Sequence, residues 1–269
     1  MAVSRTRKIP SRAPARAAWG WAAAGALAGV LLAAVLMGPA VWVERGINSL
    51  SQGRVVLSDS QGTLWAGSSR LTLAGGAGSR DAMRLPGRVQ WQLVPSWGQL
   101  RVALLAPCCT QQALELTFAP GWSGWSLAVA PGQSTWPAAL LTGLGTPWNT
   151  LQAEGALVLR TQGVVLKTSL SRWTLDGEVQ LDAQDMRSRL STLRPLGSYR
   201  VSLSGGVQPS LRLSTLSGHL QLSGQGRWNA GQLRFEGEAS AEPAHAQELS
   251  NLLNILGRRD GVRSIITLG

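Results

Sequence analysis

Few residues in the chain have side chains that act as nucleophiles or transition-metal ligands. Among 269 residues there are two cysteines, the adjacent Cys108 and Cys109, and two histidines, His219 and His245. Metal sites and nucleophile–base pairs usually show in a sequence as several such residues at short, regular spacing. Neither histidine has a cysteine or a second histidine at such a distance. We therefore predict no catalytic residue, no metal site and no bound cofactor.

The cysteine doublet leaves three alternatives open. In an exported domain, Cys108 and Cys109 can form a vicinal disulfide, stay as thiols or bridge two subunits, because no third cysteine is present for a separate pair within the chain. A structural pair, a redox role and an intermolecular link are all compatible with the sequence.

Two weaker patterns also fail to indicate an enzyme. The segment GQGRW at 224–228 lacks the third glycine and the strand–turn–helix setting of a dinucleotide-binding loop. Glu236 and Glu238 would face the same side of a strand, where exposed acidic residues are common without a catalytic role. The sequence therefore predicts that the protein is not an enzyme.

The distribution of basic residues argues against a nucleic-acid partner. The net charge is +11, but five basic residues without any acid among them lie in the first sixteen positions: Arg5, Arg7, Lys8, Arg12 and Arg16. A nucleic-acid surface would gather its charge beside stacking aromatic residues, whereas the remaining arginines are scattered between the predicted strands. We predict no nucleic-acid partner.

The segment from 17 to 43 has no charged residue and is long enough to span a membrane, since about 20 apolar residues suffice. Trp19 and Trp21 at one end and Trp42 at the other would lie at the two interfaces. The basic residues before this span would hold the N-terminus in the cytoplasm. The predicted organisation is a cytoplasmic tail at 1–16, a transmembrane anchor at 17–43 and an exported domain at 44–269. A signal peptide cleaved near Ala40 is the alternative.

Beyond the anchor, short runs alternate between apolar and polar residues and are bounded by Gly, Pro, Ser or Asn. One such run is Val89, Trp91 and Leu93, and another is Leu114, Leu116 and Phe118. Period-two alternation is typical of strands with one buried and one wet face. The predicted fold class is all-β, a mostly antiparallel multi-stranded sheet, with an N-terminal transmembrane helix and one C-terminal amphipathic helix.

The helical patterns in the exported domain are few. Residues 135–145 and 182–193 predict short helices of one or two turns, the second beginning at Asp182. The clear helix is predicted at 243–257, where an apolar stripe recurs at helical spacing and Gly257 would end the helix. The stripe consists of Leu249, Leu252, Leu253 and Leu256. This helix is expected to cover an open edge or end of the sheet.

The segment GTLWAG at 62–67 places a tryptophan between two glycines. Gly62 and Thr63 would turn the chain, and Trp65 would then cover a strand end, with Gly67 allowing close packing. A contact between Trp65 and a partner protein is the alternative.

Six phrases of the sequence, in this order, resemble protein N of the bacterial type II secretion system, also called general secretion pathway protein N (GspN). They are GTLWAGSSRL, LPGRVQWQL, LRPLGSYRVSLSG, TLSGHLQLSGQGRW, LRFEGEASAEP and LLNILGRR. The family motif residues within them are Gly62, Thr63, Leu64, Trp65, Gly67, Trp91, Gly197, Tyr199, Gly218, Gly224, Gly226, Trp228, Phe235, Gly237 and Gly257.

The resemblance implies an accessory component of the bacterial inner membrane, with a single span and a periplasmic domain, in the machine that exports folded proteins across the outer membrane. It implies partners among the inner-membrane platform and secretin-linking subunits, and no catalytic residues. The doublet Cys108 and Cys109 lies outside the pattern.

A looser likeness is to AsmA-like periplasmic proteins, which also have an N-terminal anchor and a long β-sheet curled into an apolar groove. This likeness implies a curled sheet, AsmA-like in outline, with room for lipid. A periplasmic lipid-handling module is therefore the alternative function.

Overall fold

The computed structural model of the chain describes residues 16–76, 79, 81–146, 148–169, 172–229 and 232–268. Most of the predicted basic tail lies outside these residues. The chain divides into two compact units, Met1–Gly38 and Pro39–Gly269.

The first unit contains helix α1 (Arg16–Leu36). Its segment Trp19–Leu36 is long and apolar enough to cross a membrane, although a signal sequence has the same properties. The helix is shorter than the uncharged stretch, because Pro39 lacks a backbone N–H and disfavours helical geometry in the residue before it. Trp42 belongs instead to a second helix, α2 (Val41–Leu50), which we did not predict.

The second unit is built on one large antiparallel sheet. Its strands in the described residues are β1 (Val55–Gly62), β2 (Ala66–Ala74), β3 (Ala82–Arg84), β4 (Val89–Ser96), β5 (Gln99–Leu105), β6 (Leu114–Gly121), β7 (Gly124–Val129), β8 (Gly132–Pro137), β9 (Glu154–Ser169), β10 (Arg172–Arg187), β11 (Gly197–Gly206), β12 (Ser210–Gly218), β13 (Leu220–Asn229), β14 (Gln232–Ala241), β15 (Arg258–Asp260) and β16 (Arg263–Leu268).

The strand order is β1-β2-β4-β5-β6-β7-β9-β10-β11-β12-β13-β14-β16-β15, with β3 beside β2 and β8 beside β9. Neighbours in the sheet are thus mostly neighbours in sequence, and the sheet stays open, with β1 and β15 at its two edges. The predicted fold class, a mostly antiparallel β protein with an N-terminal apolar helix, is confirmed.

Apolar side chains form three buried clusters against the sheet. In the largest cluster, Leu196, Tyr199 and Leu220 pack together with leucines of the C-terminal helix α4 (Ser250–Leu256). Leu249 and Leu253 are fully buried there. The predicted apolar stripe is therefore confirmed, and the helix ends before Gly257 as expected. The helix is shorter than predicted, because Pro243–His245 forms a separate 3-10 turn before it.

The two shorter helix predictions had different outcomes. Residues Ala138–Leu144 form a 3-10 helix, directly after strand β8. The helix predicted at 182–193 is wrong, because residues 182–187 complete strand β10. Asp182 does not cap a helix; its carboxylate lies between arginines of the two neighbouring strands. These ion pairs with neighbouring strands stabilise the strand conformation more than the local sequence favours a helix. A third short helix, α3 (Trp148–Leu151), precedes β9.

Candidate partner-binding edge

One edge of the sheet is covered by helix α2. The side chain of Asn48 donates from Nδ2 to the carbonyl of Leu57 (3.1 Å), and its Oδ1 accepts from the Leu57 N–H (2.7 Å). The amide thus replaces both hydrogen bonds that a neighbouring strand would give this residue. An edge strand with unpaired backbone groups is a template for pairing with another chain, and Asn48 removes that template at Leu57.

Other residues near α2 do the same along strand β1. Ser51 Oγ donates to the Val55 carbonyl (2.9 Å) and accepts from its N–H (3.1 Å), and Glu44 accepts from the Ser60 N–H (3.3 Å). Glu44 and Asn48 lie on one face of α2, and Ser51, the residue that follows the helix, continues their helical spacing. This polar spacing was visible in the sequence and could have predicted a helix that caps an edge strand.

At the opposite edge, no helix side chain among the described residues hydrogen-bonds to the backbone of the outermost strand, although Ile266 of β16 packs against the leucines of α4. This edge ends in β15, a strand of three residues, all exposed, that pairs only with Arg263–Ile265 of β16. Beyond that pairing, residues 266–268 of β16 have β14 on one side and no strand on the other within the described part of the chain. Arg258 and Arg259 outnumber Asp260 in β15, which leaves this strand with a net positive charge. Charges on a short strand discourage self-association but leave room for a partner of opposite charge.

An open concavity of about 1190 Å³ lies over β12, β13 and β14. Its charged lining residues are Arg212, Arg227, Arg234, Glu236 and Glu238. Glu236 and Glu238 therefore share one side of the strand, as predicted. A groove for acyl chains is lined mainly by apolar side chains, so this lining does not favour lipid.

Asp182 is the centre of a buried polar network in the middle of the sheet. Its side chain is 3% exposed and accepts hydrogen bonds from Arg160 (2.7 Å) and from Arg200 (2.7 and 3.0 Å). Gln180 donates to both carboxylate oxygens. The Arg200 hydrogen bond, helped by Gln180 and Arg160, holds the pKa of Asp182 below its usual value in spite of burial. The network joins β9, β10 and β11, and we assign it a structural role.

A smaller polar contact lies in the N-terminal part of the sheet. Arg88 Nη1 donates to Asp59 Oδ2 (2.7 Å), and Arg88 Nε donates to Ser68 (3.0 Å). The Arg88 hydrogen bond lowers the pKa of the Asp59 carboxyl. Asp59 has a positive φ of 54° at an irregularity in β1, and Arg88 ties this irregularity to the segment before β4.

The N-terminal family motif residues gather around the β1–β2 turn. Trp91 is buried, and its indole N–H donates to the carbonyl of Leu64 (3.1 Å). A Cβ at Gly67 would lie 2.5 Å from the Trp91 ring, so only glycine fits beneath it. Trp65 is half-buried, and its carbonyl accepts from the Leu93 N–H (2.7 Å). Trp91 is therefore the tryptophan that packs on Gly67, while Gly62 ends β1 and the turn to β2 is made by residues 63–65.

The C-terminal motif residues surround one aromatic ring. Phe235 is 7% exposed, and a Cβ at Gly237 would lie 2.9 Å from its ring. A Cβ at Gly224 would clash with the same ring, and Gly226 is its cross-strand neighbour. Glycines beneath a cross-strand aromatic ring let it cover the sheet closely. These residues thus form a packing unit of β13 and β14.

The remaining motif residues lie apart from that ring. Gly197 pairs with Gly218 at the start of β11, beside the buried Tyr199. Gly257 separates α4 from β15. Trp228 meets Trp173 edge to face at 5.8 Å, although strands β11 and β12 lie between them. The motif residues therefore form several packing sites and do not converge on one functional site.

The two cysteines form a vicinal disulfide in the turn between β5 and β6. Cys108 is exposed, whereas Cys109 is buried beside Leu85 and Leu140. The backbone around the pair is fixed by neighbours: the Cys109 N–H donates to Ala106 (2.8 Å), and the Cys109 carbonyl accepts from Thr135 (2.7 Å). Among the three alternatives, the structure has the vicinal disulfide.

Comparison with known proteins places the chain in one family. Residues 53–265 match the family model described as type II secretion system (T2SS), protein N. The match covers more than half of the chain and includes strands β1 to β15 and the first three residues of β16. No curated protein and no solved structure was found to match the chain.

Proposed function

The chain belongs to the type II secretion system protein N family, and we propose that it acts there as an accessory inner-membrane scaffold for the export of folded proteins. Membership makes it a component of that secretion system. The scaffold role, without catalysis, is our proposal. It is supported by a sheet whose two edges differ, one capped by its own helix and the other open.

The partner-binding surface in this proposal is the edge formed by β15 and residues 266–268 of β16. An extended segment of a platform or secretin-linking subunit would add a strand there, since main-chain hydrogen bonds give affinity in this mode. The exposed Arg258 and Arg259 favour an acidic segment. The N-terminal edge is a poor alternative, because Asn48 and Ser51 already occupy its backbone groups.

A photo-crosslinking side chain at position 259 in the native bacterium tests this surface. It should capture a subunit of the secretion system, and the double charge reversal of Arg258 and Arg259 should reduce the yield and leave exported protein in the periplasm. The same crosslinker at Gln61, an exposed residue on the capped edge, is the matched control. Equal capture from both positions, or normal export after deletion of the gene, would contradict the scaffold role.

We also propose that the protein stays anchored, with its N-terminus in the cytoplasm and the sheet in the periplasm. Ala40 is 2% exposed, and its N–H donates to the Gly62 carbonyl (3.1 Å). Cleavage after Ala40 would remove this contact and place a charged amino group at the start of α2, where the helix dipole opposes it. A periplasm-dependent reporter after Gly269 should be active, and the intact chain should resist carbonate extraction. A shortened soluble chain would favour the signal peptide instead.

The lipid-handling alternative has no comparable support. The large concavity has five charged residues in its lining, and the leucines around α4 are packed against one another. Two results together would restore that alternative. Phospholipid would co-purify with the protein in a stoichiometric amount, and loss of the protein would leave export normal.

A further inference from the structure

The two histidines of the chain meet, together with one glutamate, at one end of the sheet. His219 Nδ1 lies 2.7 Å from Glu242 Oε2, and the rings of His219 and His245 have centroids 4.3 Å apart. One ligand atom from each of the three residues lies within 4.8 Å of the other two. Imidazole nitrogens and carboxylate oxygens are the ligands of many zinc sites, and two histidines with one glutamate form a known zinc donor set.

The register of one hairpin produces this convergence. Leu220, the first residue of β13, pairs with Ala241, the last residue of β14. His219 and Glu242, the residues next to this pair, therefore lie side by side at the open end of the hairpin. The Glu242 N–H donates to the His219 carbonyl (3.0 Å), which fixes the two backbones. His245 is then placed by a turn in which its N–H donates to the Glu242 carbonyl (2.9 Å).

The floor of the cluster is rigid. Leu220 is 3% exposed, and Leu249 is fully buried in the cluster around α4. The Leu249 N–H donates to the His245 carbonyl (3.2 Å), and the His219 N–H donates to Leu196 (3.0 Å). Ligands that are positioned before the metal arrives lose little conformational entropy on binding.

One atom of the cluster lacks a hydrogen-bond partner. His245 Nδ1 is buried and makes no hydrogen bond among the described residues. The nearest carboxylate oxygen is that of Glu248, at 3.8 Å, too far for a hydrogen bond. A buried polar atom without a partner is unfavourable, and coordination of a cation would satisfy it.

We propose that His219, Glu242 and His245 bind a zinc ion through three protein ligands. The side chains are 43%, 47% and 28% exposed, respectively, so a fourth coordination position is open to water or to a partner's side chain. The ion would tie the β12–β13 turn to the segment between β14 and α4. Sequence spacing missed this site because the ligands come together only through the hairpin.

Zinc titration of the full-length protein in detergent tests the proposal, with a purification tag that contains no histidine. One zinc ion should bind per chain and raise the melting temperature, and cobalt should give the visible absorption of a tetrahedral site. His219→Gln and His245→Gln should each weaken binding by at least about 10-fold, the lower bound known for loss of an outer-shell partner. Glu238 lies in β14, the strand that directly precedes Glu242. The control variant Glu238→Gln should bind zinc as tightly as the wild type does.

A second measurement needs no variant. The chain has only two histidines, so both imidazole ring signals in an NMR spectrum should shift together at one equivalent of zinc. Unshifted signals, absence of stoichiometric binding, or unchanged affinity in a folded His219→Gln, His245→Gln double variant would overturn the site. These outcomes are independent of the partner-binding edge, which is tested by crosslinking.

Discussion

Replacing Asp182 by Asn should destabilise the sheet by about 2–4 kcal/mol at pH 7. The carboxylate accepts one hydrogen bond from Arg160, two from Arg200 and two from Gln180. An asparagine that keeps the oxygen facing Arg160 would turn an NH₂ group toward Arg200 Nε and lose that hydrogen bond. A hydrogen bond to a charged group contributes about 1.5–3 kcal/mol, and an unpaired charge adds to the loss.

The partial exposure of the arginines limits this cost. Their side chains are 36% and 37% exposed, so water can solvate part of each guanidinium, and the expected range begins lower than the 3–5 kcal/mol typical of a fully buried pair. Urea unfolding of the full chain in detergent measures the difference in unfolding free energy between variant and wild type. It appears as a shift in the midpoint urea concentration, while the slope of free energy against urea stays the same. Glu238→Gln is the control, since its 3.3 Å contact with Arg263 is about half exposed and is expected to contribute less than about 1 kcal/mol.

The pH dependence gives a second test of the same network. The pKa of Asp182 is lowered below its ordinary value of 3.8, first of all by the Arg200 hydrogen bond. A lowered pKa means that the stabilisation is complete above pH 3.8 and is lost as the pH falls through the folded-state value. The difference between wild type and Asp182→Asn should be constant near neutrality and shrink in acid. The reasoning would be refuted if Asp182→Asn were as stable as Glu238→Gln. It would also be refuted if the stability difference between wild type and Asp182→Asn grew larger in acid.

Four further changes test other contacts. Tyr199→Phe should be neutral or stabilising by up to about 1 kcal/mol in urea unfolding, because the buried hydroxyl makes no hydrogen bond among the described residues. Burial also raises the pKa of Tyr199, so the wild type should lose more stability than the variant as the pH rises above 10. Asn48→Leu should uncover the backbone of β1 and cause concentration-dependent self-association, measured by light scattering. Replacing Cys108 and Cys109 by serine and alanine should cost about 1 kcal/mol or less by the same unfolding assay, because a disulfide between adjacent residues closes almost no loop. Leu253→Asp should cost several kcal/mol, since Leu253 is fully buried.

Strand alternation was a sufficient guide to the fold where one face of a strand is less exposed than the other. The run from Val89 to Leu93, for example, lies within β4. Helix prediction was less successful where tertiary contacts decide. Residues 182–187 carry a helical pattern but extend β10, since Asp182 binds arginines from two other strands. Such ion pairs depend on strand register, which local sequence does not contain.

The candidate sites were harder to predict for the same reason. Glu44, Asn48 and Ser51 have helical spacing, yet only their contact with β1 makes them an edge cap. His219 and Glu242 are opposite each other only because Leu220 pairs with Ala241. In both cases the residue types are ordinary, and the candidate site arises from which elements are neighbours.

In the scaffold role proposed above, the two edges together would let a long open sheet bind a partner without pairing with copies of itself. Self-association through an edge requires a free edge on both molecules, and the hydrogen bonds from α2 leave β1 unavailable to any incoming strand. Pairing between two copies of β15 would bring four arginines and two aspartates to the contact, and a pair of like charges directly opposite each other is unfavourable. An acidic segment from another protein meets neither obstacle. The combination of one capped edge and one basic edge therefore favours a heterologous partner over a second copy of the chain.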